Sequence, residues 1–215
     1  MVDKLVDCDV NFVMNSLQNQ KIILASQSPR RAALLAEARI PFEVIVPVHD
    51  EPDFADWRFT PAQFAESASF YKARSVAETK PDRIILAADT VVALDEHIFG
   101  KPIDRDDARR ILSTLAGTTH QVITGMSICE GAHGRRFISH DVTHVTMRRL
   151  SDDELNQFLD GGQWQGKAGG YGIQDENDPF VETIDGSFSN VVGLPIELVL
   201  SMLATFGIKP ESQLT

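Results

Sequence analysis

The sequence predicts an α/β protein with a mixed β-sheet and helices packed against it. Short apolar runs suited to buried strands alternate with segments that begin at helix-capping residues. Two longer β-rich segments, about residues 119–129 and 136–149, are joined by EGAHG, which is typical of a hairpin. The alternation and the hairpin together indicate one sheet that carries helical layers.

The first half of the chain is predicted to alternate strand and helix. The first helix begins after Ser28, because serine is a favourable N-cap and a proline follows it at the first helical position. The run over 83–88 is interpreted as a buried strand that ends at Asp89 and Thr90, before VVAL extends it. The other elements predicted in this half are strands over 21–25 and 41–48 and a helix near 61–78.

The second half is predicted to contain two capped helices and a glycine-rich segment. Asp104 opens a helix that ends near 116–117, and the capping box Ser151–Glu154 opens another that ends at Asp160. The segment KAGGYGIQ lacks the spacings of common phosphate-binding loops, although its glycines allow a ligand to approach the backbone. The other elements predicted in this half are a strand over 181–184 and a helix over 195–206.

The charge balance limits the class of ligand. The 215 residues include 20 lysine and arginine against 31 aspartate and glutamate residues, a net charge of −11. This acidic balance argues against duplex DNA, RNA or an anionic membrane as the main partner. A polyanion bound by this chain must be small and must meet a local basic cluster, helped by a divalent cation.

Cysteine usage and the N-terminal segment bear on compartment and domain organisation. Two cysteines supply neither a disulfide framework nor a metal-site spacing, and no segment resembles a signal peptide or a membrane span. We therefore expect a cytoplasmic protein. Residues 1–20 are expected to form an amphipathic or poorly ordered leader, and residues 21–215 a single domain.

Two arginines occupy an unfavourable position at the start of the first helix. Arg30 and Arg31 lie beside unpaired backbone N–H groups and the positive end of the helix dipole, where each costs roughly 0.3–1 kcal/mol. A phosphate held by the helix N-terminus, serine hydroxyls and the guanidinium groups would offset that cost. The alternatives are a solvated basic turn and a proline-directed phosphorylation site.

Asp89 is the first candidate for chemistry. A carboxylate at the end of a buried strand lies at the rim of the sheet, where α/β proteins bind their ligands. The alternatives are a structural cap and the nucleophile of a haloacid-dehalogenase-like phosphatase. The phosphatase motif requires a second aspartate two residues away, and Ala87 and Val91 occupy those positions.

The candidate residues together suit a triphosphate and its metal ion. Hard carboxylate oxygens suit Mg²⁺ or Mn²⁺, and a carboxylate near the attacking water can take its proton. Asp89 or Glu51 could fill that role. The candidates are the basic residues Arg30, Arg31, Lys72, Lys101 and Lys167 and the acidic residues Asp50, Glu51 and Asp89.

An ordered series of motifs over about residues 21–207 resembles the Maf family of nucleoside triphosphate pyrophosphatases. The motifs are ASQSPRR, the Asp50–Glu51 pair, YKAR, AADTVV, GKP, GTTHQVITG, WQGKAGGYGIQ and NVVGLP. The resemblance implies hydrolysis between the α- and β-phosphates, giving a monophosphate and pyrophosphate, with a divalent metal. It also implies an elongated mixed sheet with two lobes around a cleft, similar to inosine triphosphate pyrophosphatases, and a homodimer.

The resemblance also implies roles for individual residues. Asp89 would activate the water, and Glu51 and Asp89 would hold the metal ion. Lys72 and Lys101 would stabilise phosphate charge. The residues implied for substrate binding are Ser26, Ser28, Arg30, Arg31, Thr90, Lys167 and Gln174.

Base preference is expected from a small subset of these residues. Arg30, Thr90 and Gln174 resemble the branch of the family that acts on dTTP and UTP, since a hydroxyl and an amide can read the edge of a pyrimidine. The acidic stretch 175–178 departs from the family pattern and leaves a different base preference open. A nucleotide-sensing regulator of cell division without turnover is the alternative function.

Overall fold

A computed structural model describes residues 21–48, 59–131, 134–173 and 180–211. The strands are Ile22–Leu24 (β1), Phe42–Val44 (β2), Ile84–Leu94 (β3), His97–Phe99 (β4), Thr119–Glu130 (β5), Arg136–Met147 (β6) and Val181–Asp185 (β7). The helices are Pro29–Glu37 (α1), Pro61–Ala77 (α2), Arg105–Leu115 (α3), Asp152–Asp160 (α4), Phe188–Val192 (α5) and Ile196–Thr205 (α6), with a 3₁₀ turn at Ala168–Gly170.

The predicted helix starts are confirmed at their caps. The side chains of Ser28, Asp104 and Ser151 each accept a hydrogen bond from the backbone N–H three residues later, at the first turns of α1, α3 and α4. Three short elements were not predicted: β4, α5, which Ser187 caps, and the 3₁₀ turn. Each is too short to show a strand or helical periodicity in the sequence.

The described strands form one mixed sheet, as the sequence predicts. The strand order is β2-β1-β3-β5-β6-β7. β4 also pairs with β3, on the same edge as β1 but further along the strand. The β2, β1 and β3 strands are parallel, whereas β3, β5, β6 and β7 pair antiparallel. No helix in the described ranges has the length and apolar character needed to cross a membrane.

The sequence-based position of Asp89 at a strand end is wrong. Asp89 lies inside β3, which pairs with β5 from Ile84 to Ala93. On the other edge of β3, β1 pairs at Ile85 and Leu86, and β4 pairs only from Val92 onward. The described strands therefore leave a gap in the sheet beside Asp89. Asp89 lies at an open edge because of this gap, and not because its strand ends there.

Helices cover both faces of the sheet, and the two faces differ. On one face, α1 and α6 pack over the parallel half in a core that includes Leu35, Leu86 and Leu203. On the same face, α3 and α4 pack in a second core that includes Leu112 and Phe158. The two cores form the two lobes that the sequence predicts. On the opposite face, α2 packs against both β3 and β5.

Candidate active site

A cleft of about 910 Å³ opens beside the gap in the sheet. It brings together the sequence-predicted residues that the structure describes, from five separate parts of the chain. Glu51 and Gln174, and with them Asp50, lie outside the described residues, so their roles stay predictions. The predicted residues that line the cleft are Ser26, Ser28, Arg30, Arg31, Lys72, Asp89, Thr90, Lys101 and Lys167.

The charge in the cleft is opposite to that of the whole protein. The basic side chains that line it come from α1, α2, the turn after β4 and the glycine-rich segment, and Asp89 is the one carboxylate among the described lining residues. The whole chain has a net charge of −11. A local concentration of cations in an acidic protein suits a small anion and disfavours a long one.

Asp89 forms an ion pair across the sheet surface. It shares a face of β3 with Ala87 and Val91, and the ammonium group of Lys72 on α2 contacts its Oδ1. The side chains of Lys72 and Asp89 are 20% and 15% exposed. The contact fixes a carboxylate on a rigid strand at the edge of the cleft, where it can accept a proton from water.

Gly125 allows α2 to lie close enough for this contact. Gly125 is the cross-strand neighbour of Asp89 on β5, so a side chain there would point to the same face. A Cβ atom at Gly125 would lie 2.2 Å from the carbonyl carbon of Ala65. The backbone of α2 therefore occupies the space of that missing side chain, which brings Lys72 to the sheet.

The first turn of α1 forms one wall of the cleft. The Ser28 hydroxyl caps the helix, and the Ser28 N–H donates to the Ser26 hydroxyl at 3.1 Å. The guanidinium group of Arg31 donates to the Gly193 carbonyl at 2.8 Å, to the Thr90 hydroxyl at 3.0 Å and to the Ser26 hydroxyl at 3.4 Å. Arg31 is thus oriented by the protein, while Arg30 reaches the Gly166 carbonyl in the other wall at 3.4 Å.

The opposite wall joins the GKP turn to the glycine-rich segment. The Gly169 N–H donates to the Gly100 carbonyl at 3.0 Å. Gly169 has a φ of 70°, and a Cβ there would lie 2.8 Å from a methyl group of Val92, so a larger residue would be excluded by both strain and contact. This backbone contact places Lys101 and Lys167 in the same wall.

A buried histidine supports the glycine-rich wall from behind. His120 on β5 is 1% exposed, and its Nε2 lies 2.5 Å from the hydroxyl of Tyr171, which lines the cleft. Burial lowers the pKa of His120 from 6.5 to about 4, so the imidazole is neutral at pH 7. The neutral ring positions Tyr171 without adding charge to the site.

We expect acid to weaken the fold through His120. Between pH 6.5 and about 4 the unfolded chain binds a proton that the folded protein excludes, so the free energy of unfolding falls as the pH is lowered. The loss attributable to this residue is roughly 3 kcal/mol at most, at 1.36 kcal/mol per pKa unit. Urea unfolding of the wild type and of His120→Gln at pH 7, 6 and 5 measures it. An equally steep pH dependence in His120→Gln would contradict the assignment.

Comparison with known proteins identifies the family. A protein-family model described as Maf-like protein matches residues 21–206. The chain belongs to the Maf-like protein family. Curated relatives of this Maf-like protein agree with the match. The dTTP/UTP pyrophosphatase of Ruminiclostridium cellulolyticum is 40% identical over 86% of this chain and 95% of that protein.

Further relatives carry the same name. The dTTP/UTP pyrophosphatase of Nitratidesulfovibrio vulgaris is 42% identical over 86% of this Maf-like protein and 88% of that enzyme. The dTTP/UTP pyrophosphatase of Salinibacter ruber is 43% identical over 86% of this chain and 91% of that enzyme. Among solved structures, the Staphylococcus aureus Ham1 protein aligns over 87% of this chain and 100% of that one at 14% identity and a TM-score of 0.49, too distant to bear on activity.

Sequence reasoning missed the residues of this Maf-like protein that support the site. They lie within the motifs GTTHQVITG, KAGGYGIQ and NVVGLP, in which the sequence analysis assigned roles only to Lys167 and Gln174. Their contacts join positions distant in sequence, so only the order of the motifs could have pointed to them. The missed residues are His120, Thr124, Gly125, Tyr171, Asn190 and Gly193.

Proposed function

We propose that this Maf-like protein hydrolyses nucleoside triphosphates to the monophosphate and pyrophosphate, with dTTP and UTP preferred. The observation that carries the proposal is the convergence of basic side chains from both walls of the cleft around the carboxylate of Asp89. A triphosphate is small and highly anionic, which suits a cleft lined by basic side chains. The relatives named dTTP/UTP pyrophosphatase support the same reaction and the same bases.

The proposed chemistry assigns each wall a part. The N-terminus of α1 and Arg30 bind the phosphates from one side, and Lys101 and Lys167 bind them from the other. Asp89 accepts a proton from a water molecule whose oxygen attacks the α-phosphorus. The bond between that phosphorus and the bridging oxygen breaks, and pyrophosphate leaves. Lys72 holds the carboxylate in place and offsets negative charge near it.

A divalent metal ion, Mg²⁺ or Mn²⁺, is part of the proposal. Within the described ranges no group of three or more His, Cys, Asp and Glu side chains could hold such an ion. The carboxylate of Asp89 fits as one hard oxygen ligand, with Glu51 proposed as a second and phosphate oxygens completing the set. The ion would neutralise phosphate charge when bound.

Base preference is proposed to depend on Arg30, Thr90 and Gln174. Arg30 and Thr90 line the cleft, and Gln174 follows directly after Ile173, which also lines it. A polar group left unpaired against the wrong base would lower its affinity.

Product analysis tests the proposal. The purified protein is incubated with dTTP, UTP, CTP, GTP or 7-methyl-GTP in Mg²⁺ or Mn²⁺, and pyrophosphate and orthophosphate are measured separately. We expect pyrophosphate mainly from dTTP and UTP, and none without the metal. Pyrophosphate mainly from another nucleotide would overturn the base preference alone. Orthophosphate as the first product, or tight binding without turnover, would overturn the reaction.

The proposed setting is the cytoplasm, and the proposed assembly is a homodimer. The setting is proposed from the cysteine usage and the N-terminal sequence, and the homodimer from the family resemblance. Light scattering coupled to size-exclusion chromatography measures the assembly, and a mass equal to one chain of 23.8 kDa would contradict it.

A further inference from the structure

A chain of hydrogen bonds runs from the cleft into the protein interior. Arg31 Nη2 donates to the Thr90 hydroxyl at 3.0 Å, and the Thr90 and Thr124 hydroxyl oxygens lie 2.9 Å apart. The Thr124 hydroxyl donates to the backbone carbonyl of Asn190 at 3.1 Å. Thr124 is fully buried, and it lies between the cores of the two lobes.

The direction of this chain follows from counting hydrogens. A hydroxyl carries one hydrogen, and that of Thr124 is directed to the Asn190 carbonyl. Thr90 must therefore donate to Thr124. With its hydrogen directed inward, the Thr90 oxygen faces Arg31 only as an acceptor. The two threonines thus form an oriented pair that accepts at the cleft and donates to the interior.

The far end of the chain is held firmly. The Asn190 side chain is fully buried and donates from Nδ2 to the Val122 carbonyl at 3.0 Å and to the Thr143 hydroxyl at 2.9 Å. Asn190 lies in α5, and the carbonyl of Gly193, which follows α5, accepts from Arg31 Nε at 2.8 Å. Asn190 therefore anchors two of the three acceptors that orient Arg31, the Thr90 hydroxyl through Thr124 and the Gly193 carbonyl through α5.

We propose that Thr124 is a positioning residue that acts on the triphosphate through Thr90 and Arg31. By accepting the Thr90 hydrogen, Thr124 fixes the orientation of the Thr90 hydroxyl, whose oxygen accepts from Arg31, and so helps to hold the guanidinium group at the head of α1. This role rests on the proposed function in one respect, that the anion bound in the cleft is a triphosphate. It differs from the base-reading role expected for Thr90, because a hydroxyl that donates to Thr124 cannot donate to a base carbonyl.

The test compares variants that keep or remove the Thr124 hydroxyl. Thr124→Val has nearly the same shape without the hydroxyl, and Thr124→Ser keeps it. Ser127→Ala is the matched control, because Ser127 is equally buried on β5 and loses a hydrogen bond to Ser69 on the opposite face, away from Arg31. Calorimetry measures the binding of inorganic triphosphate and of dTTP, and thermal unfolding shows that each variant is folded.

We expect Thr124→Val to weaken the binding of both ligands by about tenfold, the equivalent of one charge-assisted hydrogen bond. Thr124→Ser and Ser127→Ala should bind within about twofold of wild type. A double-mutant cycle supplies the specific readout: in an Arg31→Lys background, Thr124→Val should have little further effect, because the group it positions is gone.

Three results would overturn the inference. They are additive losses from Arg31→Lys and Thr124→Val, a loss with Thr124→Ser equal to that with Thr124→Val, and no binding of inorganic triphosphate to the wild type. If the proposed function fails, the result is different. The losses in triphosphate binding from Arg31→Lys and Thr124→Val are then still coupled, but no nucleotide releases pyrophosphate. Full turnover with additive losses would instead keep the reaction and remove the role of Thr124.

Discussion

Asp89→Asn is expected to lower the rate of pyrophosphate release by about 10²–10⁴-fold, the usual contribution of a positioned general base. An amide has nearly the shape of the carboxylate and cannot accept the proton of the attacking water. The ion pair with Lys72 is also lost, but both groups are partly exposed. Pyrophosphate release from dTTP and UTP, with thermal unfolding of the same samples, measures the two effects separately.

The matched control for Asp89→Asn is Asp82→Asn. Asp82 is exposed in the turn before β3, outside the cleft, so the same chemical change there should leave turnover intact. Retention of turnover in Asp89→Asn would remove this residue as the base. Loss of turnover together with loss of the folded state would instead assign Asp89 a structural role.

Gly125→Ala is expected to damage both the fold and the reaction. The new methyl carbon would lie 2.2 Å from the carbonyl carbon of Ala65 in the α2 backbone, which a rotamer change cannot relieve. Overpacking of this kind costs about 1–3 kcal/mol or more. Any shift of α2 also moves Lys72 away from Asp89, and a displacement of about 1 Å at a reacting centre can cost about 10²-fold in rate. Urea unfolding and turnover of the same samples measure both losses.

Gly161→Ala is the control for the glycine substitution. Gly161 ends α4 with a φ of −70°, and the nearest atom to a Cβ there is 3.4 Å away, so alanine fits without strain. We expect that variant to resemble wild type in stability and turnover. A Gly125→Ala protein that did the same would show that α2 can move away from the sheet without consequence.

The parts of the fold that depend on local chemistry could be predicted from the sequence. Ser28, Asp104 and Ser151 satisfy backbone N–H groups only three residues away, so their helices are visible in a short stretch. The position of Asp89 within its strand could not be predicted, because β3 continues past that residue by pairing with the distant strand β5, as far as Ala93 with Gln121. Gly125 gives no local signal in the sequence, because a glycine is needed there only to make room for the backbone of α2.

The candidate site, like the fold, has a part that could be predicted from the sequence and a part that could not. The described basic residues of the motif series line one cleft, although they lie far apart in the sequence. The partners of Arg31 were not predicted: Gly193 lies 162 positions away, and the Thr124 hydroxyl acts through Thr90. Glu51 and Gln174 remain predictions from the family resemblance.

The continuity of β3, β5 and α2 through both lobes has a consequence for motion. Within the described ranges, regular strands and a helix join the two walls of the cleft, so a rotation of one wall against the other would have to bend them. Domain closure of the hinge type needs a few loop residues that absorb the change in backbone angles, and here regular structure passes beneath the cleft. We therefore expect the described part of the binding surface to be formed before the ligand arrives, so that little conformational entropy is lost there when the two walls engage a ligand.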